Sequence, residues 1–221
     1  MSKPFLTVLD VETSGFRRDA QVQEIGCVAV DEHFNVVNWF HTLVHSHEAM
    51  EEAQAVHGIS STMTEDAPEW PDVLEFVMST FILPARMLGG CNVGYDLRMI
   101  LPENCQFTPT SSRRHILDLN QSLGKECQRH MLPDEGSPHY ALRGAIAATA
   151  CLKEANFGFL PGLGSRPPLS SQIKWNSIPR LLTAKPRGVH PNAVFSVYRL
   201  NYKNTAFWRS RLNYAGGNHG T

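Results

Sequence analysis

Apolar positions come first in short strand-like runs and later at helical spacing, the order expected of a sheet that helices then cover. Residues 5–9 form a β-favouring run that stops at Asp10, and residues 24–30 form a second that ends in the acidic turn Asp31-Glu32. Residues 36–44 are a third, and connections this short predict an antiparallel meander. Residues 48–56 predict a helix with Met50, Ala53 and Val56 on one side, closed by Gly58. Pro71 opens the next helix in its first turn, and Val73, Leu74, Val77, Met78 and Phe81 follow at helical spacing. Met87-Leu88 runs through Gly89-Gly90 towards Asn92 as a short strand feeding a loop, and Asp96 opens another helix. Residues 116–119 are a further short strand. Ser137-Pro138 then introduces a helix from His139 to about Glu154, with Ala141, Leu142, Ala145, Ala148 and Leu152 towards the core. Strands first and alternation later predict an α/β fold, a mixed sheet flanked by helices.

Beyond Asn156 the texture changes to Pro, Gly, Ser and Asn, with aromatics set between basic residues. Residues 193–200 read as a strand, 178–182 as a helical turn and 215–221 as a frayed end. Charge marks the same division. Residues 1–156 hold 11 Lys/Arg against 21 Asp/Glu, a net −10; residues 157–221 hold 9 Lys/Arg and no acid, a net +9; together they give the formal −1. Two units follow, a domain over 1–156 and a basic, aromatic-containing extension over 157–221. The extension suits phosphate contact and base stacking, or docking on a protein partner or on the acidic body.

The five cysteines form no CxxC pair, which argues against a disulfide framework and a zinc knot. His41, His45 and His47 lack the Cys or carboxylate partners of a familiar zinc pattern. No run approaches the length of apolar sequence that spans a bilayer, and the N-terminus lacks the ordered regions of a secretory signal. A soluble, cytoplasmic protein with no membrane partner is expected.

The chemistry is concentrated in carboxylates. In Asp10-Val11-Glu12-Thr13-Ser14-Gly15, two acids two residues apart point to the same side of an extended chain. Such a pair repels itself unless a cation lies between the side chains, and hard divalent ions suit an all-oxygen setting.

That segment resembles the first motif of the DEDDh 3′–5′ exonucleases, the family of the polymerase III proofreading subunit, RNase T and oligoribonuclease. The resemblance continues in order through Gln23-Glu24-Ile25-Gly26-Cys27-Val28-Ala29-Val30, His57-Gly58-Ile59-Ser60, Asn92-Val93-Gly94-Tyr95-Asp96 and His139-Tyr140-Ala141-Leu142, covering roughly residues 5–155. It implies an RNase H-like mixed five-stranded sheet and a two-metal site for Mg²⁺ or Mn²⁺. It further implies that Asp10 bridges both ions, Glu12 holds the first, Asp96 assists through water and His139 is the general base. Thr13, Gly15, His57, Ile59, Asn92 and Tyr95 are then expected near the 3′ end of single-stranded DNA or RNA.

The family's third motif carries an Asp five residues after the His, and here that position is Gly144. A further departure is Cys91, where several members carry His before the Asn. Glycine supplies no oxygen and weakens a helix interior by about 1 kcal/mol relative to alanine. Asp134 and Glu135 are the nearest acids in sequence that could compensate. The chain is therefore expected to be an exonuclease-type protein impaired at Gly144, or a non-catalytic nucleic-acid-binding or regulatory module that keeps the fold.

Overall fold

The structure is a computed structural model that describes residues 4–17, 19–48, 50–101, 105–107, 116–119, 121–131, 140–157 and 173–175. Three apolar runs form the expected antiparallel meander: β1 (Leu6–Thr13), β2 (Val22–Val30) and β3 (Val36–Leu43). The chain then crosses over to β4 (Met87–Cys91), parallel to β1, and again to β6 (Ile116–Leu119), parallel to β4. The result is a mixed five-stranded sheet in the order β3-β2-β1-β4-β6.

Alternation along the strands divides the core in two. Leu9, Val11, Ile25 and Cys27 face α3 (Trp70–Val77) and α4 (Val93–Ile100), packing with Val73, Val77, Phe81, Val93 and Leu97. Leu6, Val8, Val28 and Val30 face α6 (Ala141–Leu152), packing with Leu142, Ala145, Ala148 and Leu152. A π-helical turn continues α3 over Met78–Ile82, and another continues α6 over Lys153–Phe157.

Four helices differ from the sequence pattern. The first, α1 (Glu51–His57), begins later than expected and buries Ala53 and His57, while Met50 and Val56 are exposed. Its end is as expected: Gly58 takes a left-handed φ of 76° and returns its N–H to the Gln54 carbonyl. Asn92, at φ 60°, starts α4 ahead of Asp96, whose side chain therefore falls in the first turn rather than at its start. α5 (Leu123–Arg129), mostly polar, and the one-turn α2 (Ser61–Thr64) had no clear apolar stripe to betray them.

β5 (Cys105–Phe107) pairs antiparallel with β7 (Ile173–Trp175), so the extension contributes backbone to a small second sheet with residues between α4 and β6. The segments expected at 178–182, 193–200 and 215–221 lie outside the described residues, as do His139, Asp134 and Glu135.

Candidate active site

β1 delivers the first two carboxylates. Asp10 and Glu12 extend the row of Leu6 and Val8, so both point to the α6 side of the sheet, where the apolar row ends. Asp96 approaches from the first turn of α4 and is only 3% exposed. These acids lie close enough to alter one another. Burial, then the charge of Glu24, pushes Asp10 up to about 8. Burial, then the charges of Asp10 and Glu24, pushes Glu12 up to about 9. Asp96 is raised well above the carboxylate range by burial and by Asp10, Glu12 and Asp118. Its Oδ2 is buried without a hydrogen-bond partner.

These donors are of the kind a hard divalent cation takes, and the orphaned Asp96 oxygen is the sort of group such an ion satisfies. Their arrangement is incomplete. Among the described residues, no three His, Cys, Asp or Glu side chains are gathered so that they could hold a metal ion. At position 144 a Cβ would lie 1.9 Å from Asp10 Oδ2 and 2.8 Å from its Cγ. The Asp10 carboxyl occupies the space that a side chain at 144 would need. This gives Gly144 a packing reason that helix propensity could not supply.

Beside the acids stands a hydrogen-bonded shoulder. The Thr13 and Tyr95 hydroxyls lie 2.8 Å apart, and both reach the Gly15 carbonyl, at 2.7 and 3.0 Å. His57 Nδ1 accepts the Ile59 N–H at 3.0 Å, which leaves Nε2 to donate to the Thr13 carbonyl at 3.1 Å. The structure thus brings Thr13, Gly15, His57, Ile59 and Tyr95 together at the end of β1. His57, Ile59 and Thr13 are buried, and Tyr95 is partly buried. Asn92 is exposed at the start of α4, where the Val93 N–H donates to Asp118 Oδ1 at 3.2 Å.

A further acid faces the same way as Asp10 and Glu12. Glu24 is the direct cross-strand partner of Glu12 and is fully buried. Its Oε1 accepts from His41 Nε2 at 2.5 Å and its Oε2 from the Ala141 N–H at 3.0 Å. His41→Ala would leave Oε1 without its donor inside the protein, and should cost about 3 kcal/mol. Urea denaturation checks this, with His41→Gln expected to recover at least half of the loss by restoring an N–H.

The RNase_T exonuclease family matches residues 7–142. The chain belongs to this exonuclease family. The match ends two residues short of Gly144. Over 93 residues the chain is 36% identical to the uncharacterized exonuclease CP81 of Escherichia phage 186, covering 42% of this chain and 45% of that protein. It is also similar to E. coli exonuclease I in complex with a 5cy-dT13 oligonucleotide, with TM-score 0.51, 15% identity, and 70% of this chain against 41% of that one. A zinc-bound E. coli exonuclease I complex with single-stranded DNA gives TM-score 0.52 at 12% identity, covering 69% and 41%. At such identities the likeness is one of fold. The chain spans less than half the length of each of these proteins. The mixed five-stranded sheet between two layers of helices is the RNase H-like fold of DEDDh-type exonucleases.

Within this exonuclease-family domain, three residues near the site escaped sequence reasoning. Glu24 was legible only as an acid in an otherwise apolar strand, a signal that a buried charge needs a partner. His41 supplies that partner from β3. Phe16, 79% exposed immediately after Gly15, sits where the shoulder ends.

Proposed function

We propose that this chain engages single-stranded 3′ ends of DNA or RNA at the cleft of Asp10, Glu12 and Asp96. It does so with Mg²⁺ or Mn²⁺, and hydrolyses them slowly for want of a carboxylate at 144. The supporting observation is that Asp10, Glu12 and Asp96 act on one another's charge, with Asp96 Oδ2 buried and unpartnered, in a chain of exonuclease family. By the family resemblance, Asp10 and Glu12 would hold the divalent cations, with Asp96 assisting through water. Bound divalent cations supply charge stabilisation for the entering and leaving oxygens of a phosphodiester. His139, from the segment before α6, is the proposed base for the attacking water.

The shoulder has a separate role in this reading. Thr13, His57, Ile59 and Tyr95 fix the Gly15 loop, so that the Gly15 backbone, Asn92 and the exposed Phe16 meet the terminal nucleotides. The E. coli exonuclease I structures with single-stranded DNA favour a single-stranded partner. Phe16→Ala should weaken binding of a single-stranded oligonucleotide by roughly tenfold, the effect of losing one stacking platform, while leaving the melting temperature unchanged. Fluorescence anisotropy beside a thermal melt reads both. The basic extension over 157–221 is proposed to add phosphate contacts or to dock a protein partner, in a soluble, cytoplasmic setting.

Gly144 favours a second reading, a module that binds single strands without turnover. A gel assay with 5′-labelled single-stranded DNA and RNA in Mn²⁺ separates the two. Slow shortening from the 3′ end that disappears in Asp10→Ala supports the nuclease. Binding without shortening supports the module. A chain that neither binds nor shortens single strands sinks both.

A further inference from the structure

Glu24 and His41 have no part in the metal chemistry proposed above, yet they are tied to the element that closes the cleft. Three contacts seat the first turn of α6 on the sheet. The Ala141 N–H donates to Glu24 Oε2 at 3.0 Å. The next residue rests on Gly26, where a Cβ would come within 2.3 Å of Leu142 N and 2.4 Å of the Ala141 carbonyl carbon. One turn from Ala141, the Gly144 backbone lies against Asp10, with the 1.9 Å approach noted for its missing Cβ. Gly26 and Asp10 are themselves cross-strand partners, so all three contacts fall within a few residues of one register.

Two of these contacts are glycine approaches. The one at Gly26 sets how near the helix can come whichever residue faces it, whereas the one at Gly144 admits a residue without a side chain but makes no directional bond. The Glu24 contact is polar and directional, and it selects Ala141. Successive helical residues are about 100° apart, so a helix rotated by one position would present the side chain of Arg143 or Ala145 to Asp10 instead of Gly144. His41 holds the other oxygen of the carboxylate and so fixes its orientation. We propose that Glu24, oriented by His41, is a positioning residue that sets the register of α6 against Asp10. It thereby decides which residue of the helix faces the carboxylate cleft. Its bearing on cleavage rests on the reading of the cleft given above, whereas the positioning itself does not.

Two substitutions in the full chain separate reach from charge. Glu24→Gln keeps an oxygen at the same distance for the Ala141 N–H and loses the charge. Glu24→Asp keeps the charge and withdraws it by one methylene. Residue-resolved amide exchange by NMR and the side-chain carboxyl ¹³C resonance of Asp10 are the readouts, both in metal-free protein. Positioning by reach requires Glu24→Asp to speed exchange at Ala141 by at least roughly tenfold, equivalent to about one net hydrogen bond, and to shift the Asp10 resonance. Glu24→Gln should leave both near the parent values, and the β1–β2 ladder should keep its protection in each variant.

The opposite pattern, with Gln disturbing and Asp preserving, would overturn the proposal, because charge pairing with His41 would then be what matters. Uniformly faster exchange through helix and sheet would also overturn it, as would no change in Glu24→Asp. Mn²⁺ titration of the parent chain, followed by electron paramagnetic resonance, tests the cleft separately. Absence of binding there would defeat the proposed function while leaving the exchange result to stand.

Discussion

Gly144→Asp should lower the melting temperature of the metal-free chain by roughly 5–10 °C, for a net loss of about 2–3 kcal/mol in a chain of this size. Millimolar Mn²⁺ should recover most of it. Two terms oppose each other. Alanine at 144 gains about 1 kcal/mol of helix propensity over glycine, and aspartate only about 0.3 kcal/mol. Against this, its Cβ enters the space of the Asp10 carboxyl, and overpacking of this kind costs about 1–3 kcal/mol before any charge is counted. Aspartate then adds a negative charge beside Asp10, a residue already held partly protonated by its surroundings. A cation is the one addition that relieves both, by drawing Asp10 off the helix and taking oxygens from each acid. Gly144→Ala is the control, since it brings the clash without the ligand and its loss should not respond to Mn²⁺. In the nuclease assay Gly144→Asp with Mn²⁺ should exceed the parent chain by roughly a hundredfold, the scale of a ligand displaced by about 1 Å. A variant as stable as the parent in EDTA, and equally indifferent to Mn²⁺, would show that position 144 does not face the cleft.

The second large effect is a dependence of stability on pH. Asp10 and Glu12 are raised from ordinary values of 3.8 and 4.5 to about 8 and about 9, and Asp96 is raised as well. Above the unfolded values, the folded chain holds more protons at these groups than the unfolded chain does, so stability falls as pH rises. The stabilising contribution is complete below about pH 4 and is lost through the window up to about pH 9. Metal-free protein should therefore melt roughly 5–10 °C lower at pH 8 than at pH 5. Asp10→Asn removes one of the three titrations and the charge that acts on both other acids. It should raise the pH 8 value by roughly 3–6 °C and flatten the slope. Mn²⁺ at pH 8 should stabilise the parent chain and not Asp10→Asn. A melting temperature that climbs from pH 5 to pH 8 in EDTA would contradict this account of the cleft.

Much of the sheet was legible because local pattern and tertiary role agree in it. The runs before Asp10 and Asp31 are apolar, end at acids and are joined by short connections, so neighbouring strands in sequence became neighbours in space. The pairing of Asp10 with Glu12 on one face was equally plain, since strand alternation alone requires it. What local pattern could not carry was the face of a short polar helix. Val56 is the more apolar residue, yet His57 is the one buried in α1, because its two ring nitrogens find partners at Thr13 and Ile59. The place of Glu24 depends on a partner 117 positions away and was out of reach for the same reason. Gly144 was recognised as a departure, but its steric fit to Asp10 needed coordinates.

The pairing of Ile173–Trp175 with Cys105–Phe107 bears on how the molecule can be divided. A chain cut after Asn156 would strip one strand from that ribbon and leave the other with bare amide and carbonyl groups, an open edge to which a stray polypeptide can add. Shortening the protein where its charge changes sign would therefore unseal a seam that the longer chain closes for itself.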